Sequence, residues 1–245
     1  MISLVRKLGK AMRLLSDGRF RKGLFHGVAA TLEHAPVFID RPVASIVDVG
    51  ANRGQFTLLM AGLYPEAQIL AFEPLVKPFR KLLDVTADLP KVRVFNSAIG
   101  PTRTTLPMNV SKRDDSSSLL PISDMQETIF PNTGHDHVDQ VRVAPLNDFI
   151  NDIDLRRPSL LKIDVQGFEL EVLKGSADCI DRFDAVYVEA SFVQLYDGQP
   201  FASDIIDYLH ERDFRLRGIY NLSQMPDGRA VQADFLFIHR QEWPV

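Results

Sequence analysis

Short apolar segments alternate with helix-like segments along most of the chain, and this alternation constrains the fold more than any other feature. Such runs are typical of strands that are covered on both faces, and their alternation with helices predicts a parallel sheet in an α/β fold. The intervening patterns predict helices over residues 54–63, 76–86 and 202–211 and a helix that ends at Gly175. The five apolar runs are SIVDVG, QILAFEP, VRVFNSAIG, LLKIDVQG and DAVYVEA.

The last part of the chain predicts a different arrangement. RLRGIYNL and ADFLFIHR are separated by a stretch that contains Pro226, Asp227 and Gly228, which is a hairpin signal. The sheet is therefore predicted to finish with an antiparallel strand. Residues 111–137 are polar and lack periodicity, which predicts a long loop across the ligand-binding edge of the sheet. The segment QVRVAPLNDFI then predicts an extra strand and a short helix.

Composition and charge exclude several classes of protein. The chain has 245 residues, enough for a full core, with 45% apolar and 24% charged residues and a formal net charge of −4. That charge argues against a nucleic-acid binder, and no run of about 18 apolar residues is present to span a bilayer. Cys179 is the single cysteine, which excludes an intramolecular disulfide and a multi-thiolate zinc site and fits a cytoplasmic location.

The first 40 residues are predicted to form a helical extension, and residues 41–245 a single α/β domain. Within the extension, residues 1–22 carry seven basic side chains against Asp17 alone, and apolar residues recur at helical spacing. A basic amphipathic helix of this kind is compatible with packing on its own domain, with a homodimer contact and with peripheral binding to an anionic membrane. These three alternatives remain open.

A glycine-containing loop follows the first predicted strand. Asp48, Gly50, Asn52 and Gly54 occur where this strand ends, and Glu73 ends the second strand about 20 residues later. In an open α/β sheet ligands bind beyond these strand ends, where a carboxylate can accept hydrogen bonds from both hydroxyls of a ribose. The alternative is that the glycines serve only helix–strand packing. The pattern predicts a nucleoside-cofactor site, which the adjoining residues are also expected to line: Ala51, Phe56 and Pro74.

The spacing of the glycines narrows the choice of cofactor. It is Gly-x-x-x-Gly, which differs from the Gly-x-Gly-x-x-Gly of dinucleotide folds. It is not a P-loop either, since Gln55 and Phe56 follow Gly54 in place of Lys and Ser or Thr. Ligands that carry a pyrophosphate or triphosphate are therefore disfavoured. S-adenosylmethionine has a ribose, an adenine and an amino-acid tail but no phosphate, and it fits the pattern best.

Four segments in the same order resemble the FkbM-type S-adenosylmethionine-dependent methyltransferases over roughly residues 45–240: DVGANRGQFT, AFEP, NSAIG and KIDVQGFELEVLKG. The fourth segment is the most specific, because the family pattern is Ile-Asp-x-Glu-Gly-x-Glu followed by Val-Leu-x-Gly. Gln166 stands where the family usually has Glu, and Asn147 stands where Asp is more usual. Roles that need a charge at these two positions are therefore not carried over.

The resemblance implies a fold, a cofactor and a reaction. The fold is a Rossmann-like sheet of seven strands, mostly parallel with an antiparallel strand at the end, and with helices on both faces. Residues 41–245 would form the methyltransferase domain, with S-adenosyl-L-methionine as the cofactor. The reaction would be methyl transfer to oxygen, on a hydroxyl of a sugar or secondary metabolite.

Methyl transfer to a hydroxyl requires a group that removes the hydroxyl proton, and the strand ends offer two candidates. Asp164 ends the fourth strand and is predicted to act as the base or as a metal ligand; its alternative role is to bind the cofactor's amino group or cap the next helix. Glu189 ends the fifth strand and is predicted to bind the acceptor or a metal. Ser97 and Ala98 are predicted to contact the adenine, and Ser116 to close over the site.

The remaining polar residues fit simpler roles. His135 and His137 are two apart, as on one face of a strand, but Asn132 and Gly134 nearby favour a solvated loop, and no metal site is predicted at these histidines. The acceptor is expected to be a small molecule or a glycan, including a lipid-linked one. Two rival interpretations are a nicotinamide-dependent oxidoreductase and a nucleoside-binding protein without catalysis; Gln166 is the feature that favours the second.

Overall fold

The computed structural model of the protein describes residues 18–151 and 153–239. Seven strands form its main sheet: β1 Ser45–Val49, β2 Gln68–Phe72, β3 Val92–Phe95, β7 Ser159–Ile163, β8 Ala185–Ser191, β9 Phe214–Gln224 and β10 Ala230–His239. Their order across the sheet is β3-β2-β1-β7-β8-β10-β9. No helix in these two ranges is long and apolar enough to cross a membrane.

The pairing of the strands creates a crevice beside β1. β1 pairs in parallel with β2 on one side and with β7 on the other, and β3 and β8 extend the sheet in parallel outward. The chain therefore moves away from β1 in one direction and later returns to its other side, which places a topological switch point between β1 and β7. β10 runs antiparallel to both β8 and β9, so the predicted C-terminal hairpin is confirmed.

Helices cover both faces of the main sheet. Their bounds are α1 Gly18–Phe25, α2 Ala35–Phe38, α3 Gln55–Leu63, α4 Val76–Thr86, α5 Asp124–Ile129, α6 Asn147–Ile150, α7 Glu169–Gly175 and α8 Ala202–His210. Residues of β1, β7 and β8 alternate between two cores, because successive side chains of a strand point to opposite faces. Val47, Leu161 and Val188 pack with α7 and α8, whereas Ile46 and Leu160 pack with α1, α2 and α3 on the other face.

A second, three-stranded sheet stands over the ligand edge of the first. Its strands are β4 Ala98–Ile99, β5 Thr104–Ser111 and β6 His135–Ala144, in the order β4-β6-β5. Met108, Val110 and Val141 of this sheet pack on Leu75, which follows β2. The small sheet thus covers the space beyond the ends of β1 and β2.

The expectation of a long irregular loop over residues 111–137 is wrong. A short 3-10 helix at Asp114–Ser116, α5 and the start of β6 all lie within this segment. His135 and His137 belong to β6 and are exposed, so their expected place in a loop is wrong as well. The physical reason is that the first six residues of β6 are all exposed and five of them are polar, which removes the alternation that marks a half-buried strand.

The prediction for residues 1–22 falls largely on residues 1–17, which lie outside the described part of the chain. The helix α1 that follows packs on α3. The Phe20 ring is buried against α3, and Arg19 Nη1 donates a hydrogen bond of 2.8 Å to the carbonyl oxygen of Ala61. The predicted division at residue 40 remains a prediction.

Candidate active site

A cavity of about 240 Å³ opens beyond the carboxyl ends of β1, β2 and β7, at the switch point of the sheet. Its walls come from chain segments far apart in sequence. They include the loop after β1, the ends of β2 and β7, the 3-10 helix before Ser117, and two residues of the N-terminal segment, Thr31 and His34. This is where open α/β sheets bind ligands.

The loop between β1 and α3 depends on its glycines. Gly50 has φ 78°, and a Cβ atom added there would lie 1.8 Å from the carbonyl oxygen of Asp164. Gly54 has φ 98°, and a Cβ atom there would lie 3.0 Å from the Leu82 side chain of α4. Asn52 between them also has a positive φ, of 48°. Both glycines therefore serve close packing, and the loop they permit presents its backbone to the cavity.

Glu73 ties the end of β2 to this loop. Its carboxylate accepts hydrogen bonds from the backbone N–H groups of Asn52, at 2.9 Å, and Leu75, at 2.8 Å. Burial raises the pKa of Glu73 to about 8, although the two N–H donors act to lower it. A carboxylate fixed in this way at a cavity wall suits recognition of ribose hydroxyls.

Apolar side chains form the cavity wall next to Glu73. Phe72, Ile99 and Phe168 line it together with Pro74 and Ala98. Such a wall suits the flat face of an adenine ring.

Ser97 also lines the cavity, but its hydroxyl already forms hydrogen bonds within the protein. Its Oγ donates to the carbonyl oxygen of Ala98 at 2.9 Å and lies 3.4 Å from that of Arg142. The side chain of the neighbouring Asn96 likewise bonds the carbonyl oxygens of Glu73 and Pro74. Contact between Ser97 and an adenine therefore remains a prediction.

A buried lysine lies under the loop, and the sequence interpretation missed it. Lys162 Nζ is 3.1 Å from Asp48 Oδ1 and 3.7 Å from Asp164 Oδ2, and it donates a 3.1 Å hydrogen bond to the carbonyl oxygen of Gly50. Burial acts to lower the pKa of Lys162, but the charges of Asp48 and Asp164 outweigh it and raise the pKa. A charged residue inside the apolar run LLKID was the signal that marked this position.

Asp164 is the carboxylate of this group that reaches the cavity. Its side chain is 39% exposed, whereas that of Asp48 is fully buried and accepts a 2.6 Å hydrogen bond from Thr57 Oγ1. Gln166 Nε2 donates to Asp164 Oδ1 at 2.9 Å and to Glu189 Oε2 at 2.9 Å. Glu189 therefore lies behind Gln166.

Four predicted residues do not line the cavity. Asp48 lies beneath the loop with Lys162, Gly54 faces α4, and Glu189 is screened by Gln166. Ser116 is buried, and its carbonyl oxygen accepts a 3.1 Å hydrogen bond from the Tyr196 hydroxyl. Contact of these four residues with a ligand remains a prediction. The other predicted residues line the cavity together: Gly50, Ala51, Asn52, Phe56, Glu73, Pro74, Ser97, Ala98 and Asp164.

The segment after β5 closes one side of the cavity. Arg53 of the β1 loop pairs with Asp114 Oδ2 through Nε at 3.0 Å and Nη2 at 2.6 Å. Asp114, Asp115 and Ser117 line the cavity. The segment thus crosses the ligand edge as predicted, although its conformation is more regular than expected.

Two residues that line the cavity come from the N-terminal segment and were also missed. His34 Nδ1 lies 2.9 Å from the Tyr187 hydroxyl and 3.3 Å from Asp234 Oδ2, which fixes the ring beside the cavity. The pKa of Asp234 is lowered, because hydrogen bonds and the charge of His34 outweigh its burial. Nothing in the local sequence around His34 signals this contact, since its partners are more than 150 residues away.

The donor set fits S-adenosylmethionine. The carboxylate of Glu73 suits a ribose, the apolar wall suits an adenine, and the backbone of the β1 loop with the nearby Asp164 suits an amino-acid tail. Within residues 18–151 and 153–239, no group of three or more His, Cys, Asp or Glu side chains could hold a metal ion.

Solved structures show the same class of fold. The chain is similar to Aeropyrum pernix fibrillarin with bound S-adenosyl-L-methionine, with a TM-score of 0.50, 11% identity, and coverage of 90% of this chain and 76% of that one. The similarity concerns the fold, a mostly parallel α/β sheet with one antiparallel strand.

The sequence places the chain in one family of that class. Residues 48–216 match the "Methyltransferase FkbM domain", and the protein belongs to this family. It is 32% identical to "Methyltransferase 1" of Beauveria bassiana over 66% of this chain and 75% of that protein. It is 25% identical to "2-O-methyltransferase NoeI" of Sinorhizobium fredii over 89% of both chains. The protein is an S-adenosyl-L-methionine-dependent methyltransferase, as the sequence motifs predicted.

Proposed function

We propose that the protein transfers the methyl group to a hydroxyl oxygen of a small molecule or glycan. The observation that carries this proposal is the position of Asp164, whose partly exposed carboxylate faces the cavity between Lys162 and Gln166. An aliphatic hydroxyl is a weak nucleophile until its proton is withdrawn, and a carboxylate held at the cavity wall can withdraw it. The ammonium nitrogen of Lys162 lies 3.7 Å from Asp164 Oδ2 and helps to orient this carboxylate at the cavity wall.

The cofactor would be held by residues around the β1 loop. In this proposal Glu73 accepts hydrogen bonds from the ribose hydroxyls, the wall formed by Phe72 and Phe168 takes the adenine, and the backbone at residues 50–52 meets the amino-acid tail. When bound, S-adenosylmethionine supplies an electrophilic methyl group on a sulfonium.

This arrangement accounts for the bonds that change during methyl transfer and for the proton that the acceptor hydroxyl loses. The acceptor oxygen forms a bond to the methyl carbon while the carbon–sulfur bond breaks and leaves its electron pair on sulfur. The hydroxyl proton passes to the carboxylate of Asp164. The apolar wall limits access of water, which would otherwise compete as the acceptor.

Two further observations support an oxygen acceptor that is not a nucleic acid. The Sinorhizobium fredii relative is named a 2-O-methyltransferase and matches nearly the full length of this chain. The formal net charge of −4 disfavours a polyanionic substrate. A cytoplasmic location is part of the proposal, whereas membrane contact through residues 1–22 and a homodimer remain predictions.

Cofactor binding is tested first by calorimetry with S-adenosylmethionine and S-adenosylhomocysteine. Glu73→Ala should weaken binding by about tenfold or more, because it removes the acceptor for the ribose hydroxyls. The matched control is Glu66→Ala, an exposed carboxylate just before the same strand, which should bind like the wild type. Equal binding by the two variants would contradict the assigned cofactor contacts.

The reaction is tested by methyl transfer to a panel of sugars and small alcohols, with radiolabelled cofactor. Asp164→Asn should lower the rate by about 100-fold while cofactor affinity changes little, since general-base catalysis contributes that much. A product labelled on nitrogen or carbon would overturn the proposed hydroxyl acceptor. An undiminished rate in Asp164→Asn would overturn the role of Asp164.

A further inference from the structure

Gln166 occupies an unusual position between two carboxylates. Its side-chain nitrogen lies 2.9 Å from Asp164 Oδ1, at the end of β7, and 2.9 Å from Glu189 Oε2, in β8. A carboxamide nitrogen carries two hydrogens, so it can donate one to each carboxylate. One neutral side chain therefore bridges two acidic groups from neighbouring strands.

The other end of the carboxamide fixes its orientation. Gln166 Oε1 lies 2.8 Å from the hydroxyl of Tyr196, which can donate to an oxygen there. The reverse orientation would bring the carboxamide oxygen against oxygen atoms of both acidic side chains, whereas Nε2 offers a hydrogen to each of them. The network of partners thus assigns Nε2 to the acidic side.

The backbone of Gln166 is held as firmly as its side chain. Gln166 has φ 56° and is followed by Gly167 with φ 101°. Ser118 Oγ donates a 2.6 Å hydrogen bond to the carbonyl oxygen of Gln166, and Glu169 Oε1 accepts one of 2.9 Å from the N–H of Gly167. Several hydrogen bonds thus hold this turn in an unfavourable left-handed backbone conformation, which is typical of turns at functional sites.

Gln166 is a neutral donor in acidic surroundings. Burial, and then the charge of Asp164, raise the pKa of Glu189 well above its usual range. Gln232 Nε2 donates to the other oxygen of Glu189 at 2.7 Å, so this carboxylate already has a second neutral donor. The other charged or titratable groups that face the pair come from several elements: Lys162 of β7, Glu169 of α7, Asp234 of β10 and Tyr196 of the segment after β8.

We propose that Gln166 is a positioning residue, which holds the carboxyl groups of Asp164 and Glu189 in a fixed arrangement beside the acceptor. The role assigned to Asp164 rests on the proposed function. The family usually has Glu at this position, and an ionised Glu would add a negative charge and have no hydrogen to donate. The bridge of two donated hydrogens therefore depends on the Gln of this chain.

The direct test follows the titration of Glu189 by the resonance of its ¹³C-labelled carboxyl group, assigned with Glu189→Gln. Gln166→Met keeps the length of the side chain but donates no hydrogen, and it should raise the titration midpoint of Glu189 by about one pH unit. Gln166→Glu should raise it further, because it also adds a like charge. Gln140→Glu, at an exposed position of β6, should leave the midpoint unchanged.

A second readout separates positioning from packing. With an acceptor found in the panel, Gln166→Met should lower kcat by about tenfold and leave KM for S-adenosylmethionine within about twofold. Its pH–rate profile should move to higher pH in the same direction as the Glu189 midpoint. A role in packing alone would change neither the midpoint nor the profile.

The outcomes distinguish this inference from the proposed function. If the Glu189 midpoint in Gln166→Met equals that of the wild type while S-adenosylhomocysteine still binds, the positioning role is wrong and the methyl-transfer proposal stands. If the midpoint rises but Asp164→Asn transfers methyl at the wild-type rate, Gln166 holds the carboxylates and the assigned base is wrong.

Discussion

At the scale of single residues, Glu73 shows how burial and ligand recognition are linked. The residue is 4% exposed and its carboxylate already accepts two backbone N–H groups, yet burial raises its pKa to about 8. An ionised carboxylate accepts hydrogen bonds from two hydroxyls more strongly than a protonated carboxyl group does. The same burial that orients Glu73 therefore makes its ionisation sensitive to pH near neutrality.

This linkage predicts that cofactor affinity rises with pH. The raised pKa means that the protonated form of Glu73 dominates below about pH 8 in the free protein and is lost as the pH rises through that value. The dissociation constant of S-adenosylhomocysteine should accordingly fall by about tenfold between pH 6 and pH 8.5. Calorimetry over this range measures it.

Glu73→Gln is the control for that measurement, because it cannot ionise. Any pH dependence that it retains belongs to other groups of the protein or to the amino group of the ligand. The same slope in the wild type and in Glu73→Gln would show that Glu73 does not titrate in this range.

At the scale of elements, the junction between β1 and α3 is fixed by close backbone contact. A Cβ atom at Gly50 would lie 1.8 Å from the backbone oxygen of Asp164, which cannot move away as a flexible side chain can. Gly198 has the same φ of 78° but open space around it. Comparing substitutions at these two glycines therefore distinguishes the free-energy cost of a left-handed backbone from that of a steric clash.

We expect Gly50→Ala to destabilise the protein more than Gly198→Ala. The left-handed conformation should cost each variant about 1–2 kcal/mol. The clash should add about 1–3 kcal/mol to Gly50→Ala alone. Urea unfolding of both variants checks this difference, and equal midpoints would contradict the close approach of β1 and β7 at this junction.

The elements also show which parts of the fold the sequence could predict. Strands such as Ser45–Val49 and Ser159–Ile163 are buried at every residue, and they were predictable because a short, continuous apolar run is typical of a strand covered on both faces. β5 and the first part of β6 were not, because they expose polar residues on consecutive positions. Pairing between these strands, rather than burial, gives them their conformation.

At the scale of the whole molecule, the site combines parts that local patterns could predict and parts that they could not. Glu73 and the glycine loop are adjacent to their own strands, so their spacing was informative. The contacts of Gln166 with Glu189 and Tyr196, and of His34 with Asp234, join segments that only the completed sheet brings together. A single sequence carries no local signal for such contacts.

The N-terminal segment is one of these non-local contributions, and Phe20 tests it. Phe20 of α1 is buried, and its ring occupies the space that a side chain at Gly62 of α3 would need: a Cβ atom there would lie 2.5 Å from Phe20 Cζ. Because the following residues Thr31 and His34 line the cavity, packing of α1 on α3 also supports the site.

Phe20→Ala should lower the free energy of unfolding by about 3 kcal/mol, as for other buried aromatic residues. Phe25→Ala is the matched control, because it removes the same ring from the same helix at a position that is 90% exposed, and it should change stability by less than about 0.5 kcal/mol. Thermal unfolding of both variants, with and without S-adenosylhomocysteine, measures the difference. If the two variants were equally stable, α1 would contribute nothing to the core. If only Phe20→Ala lost stability together with affinity for the ligand, the helix would be part of the cofactor-binding structure, because the chain from Phe20 to His34 connects the two.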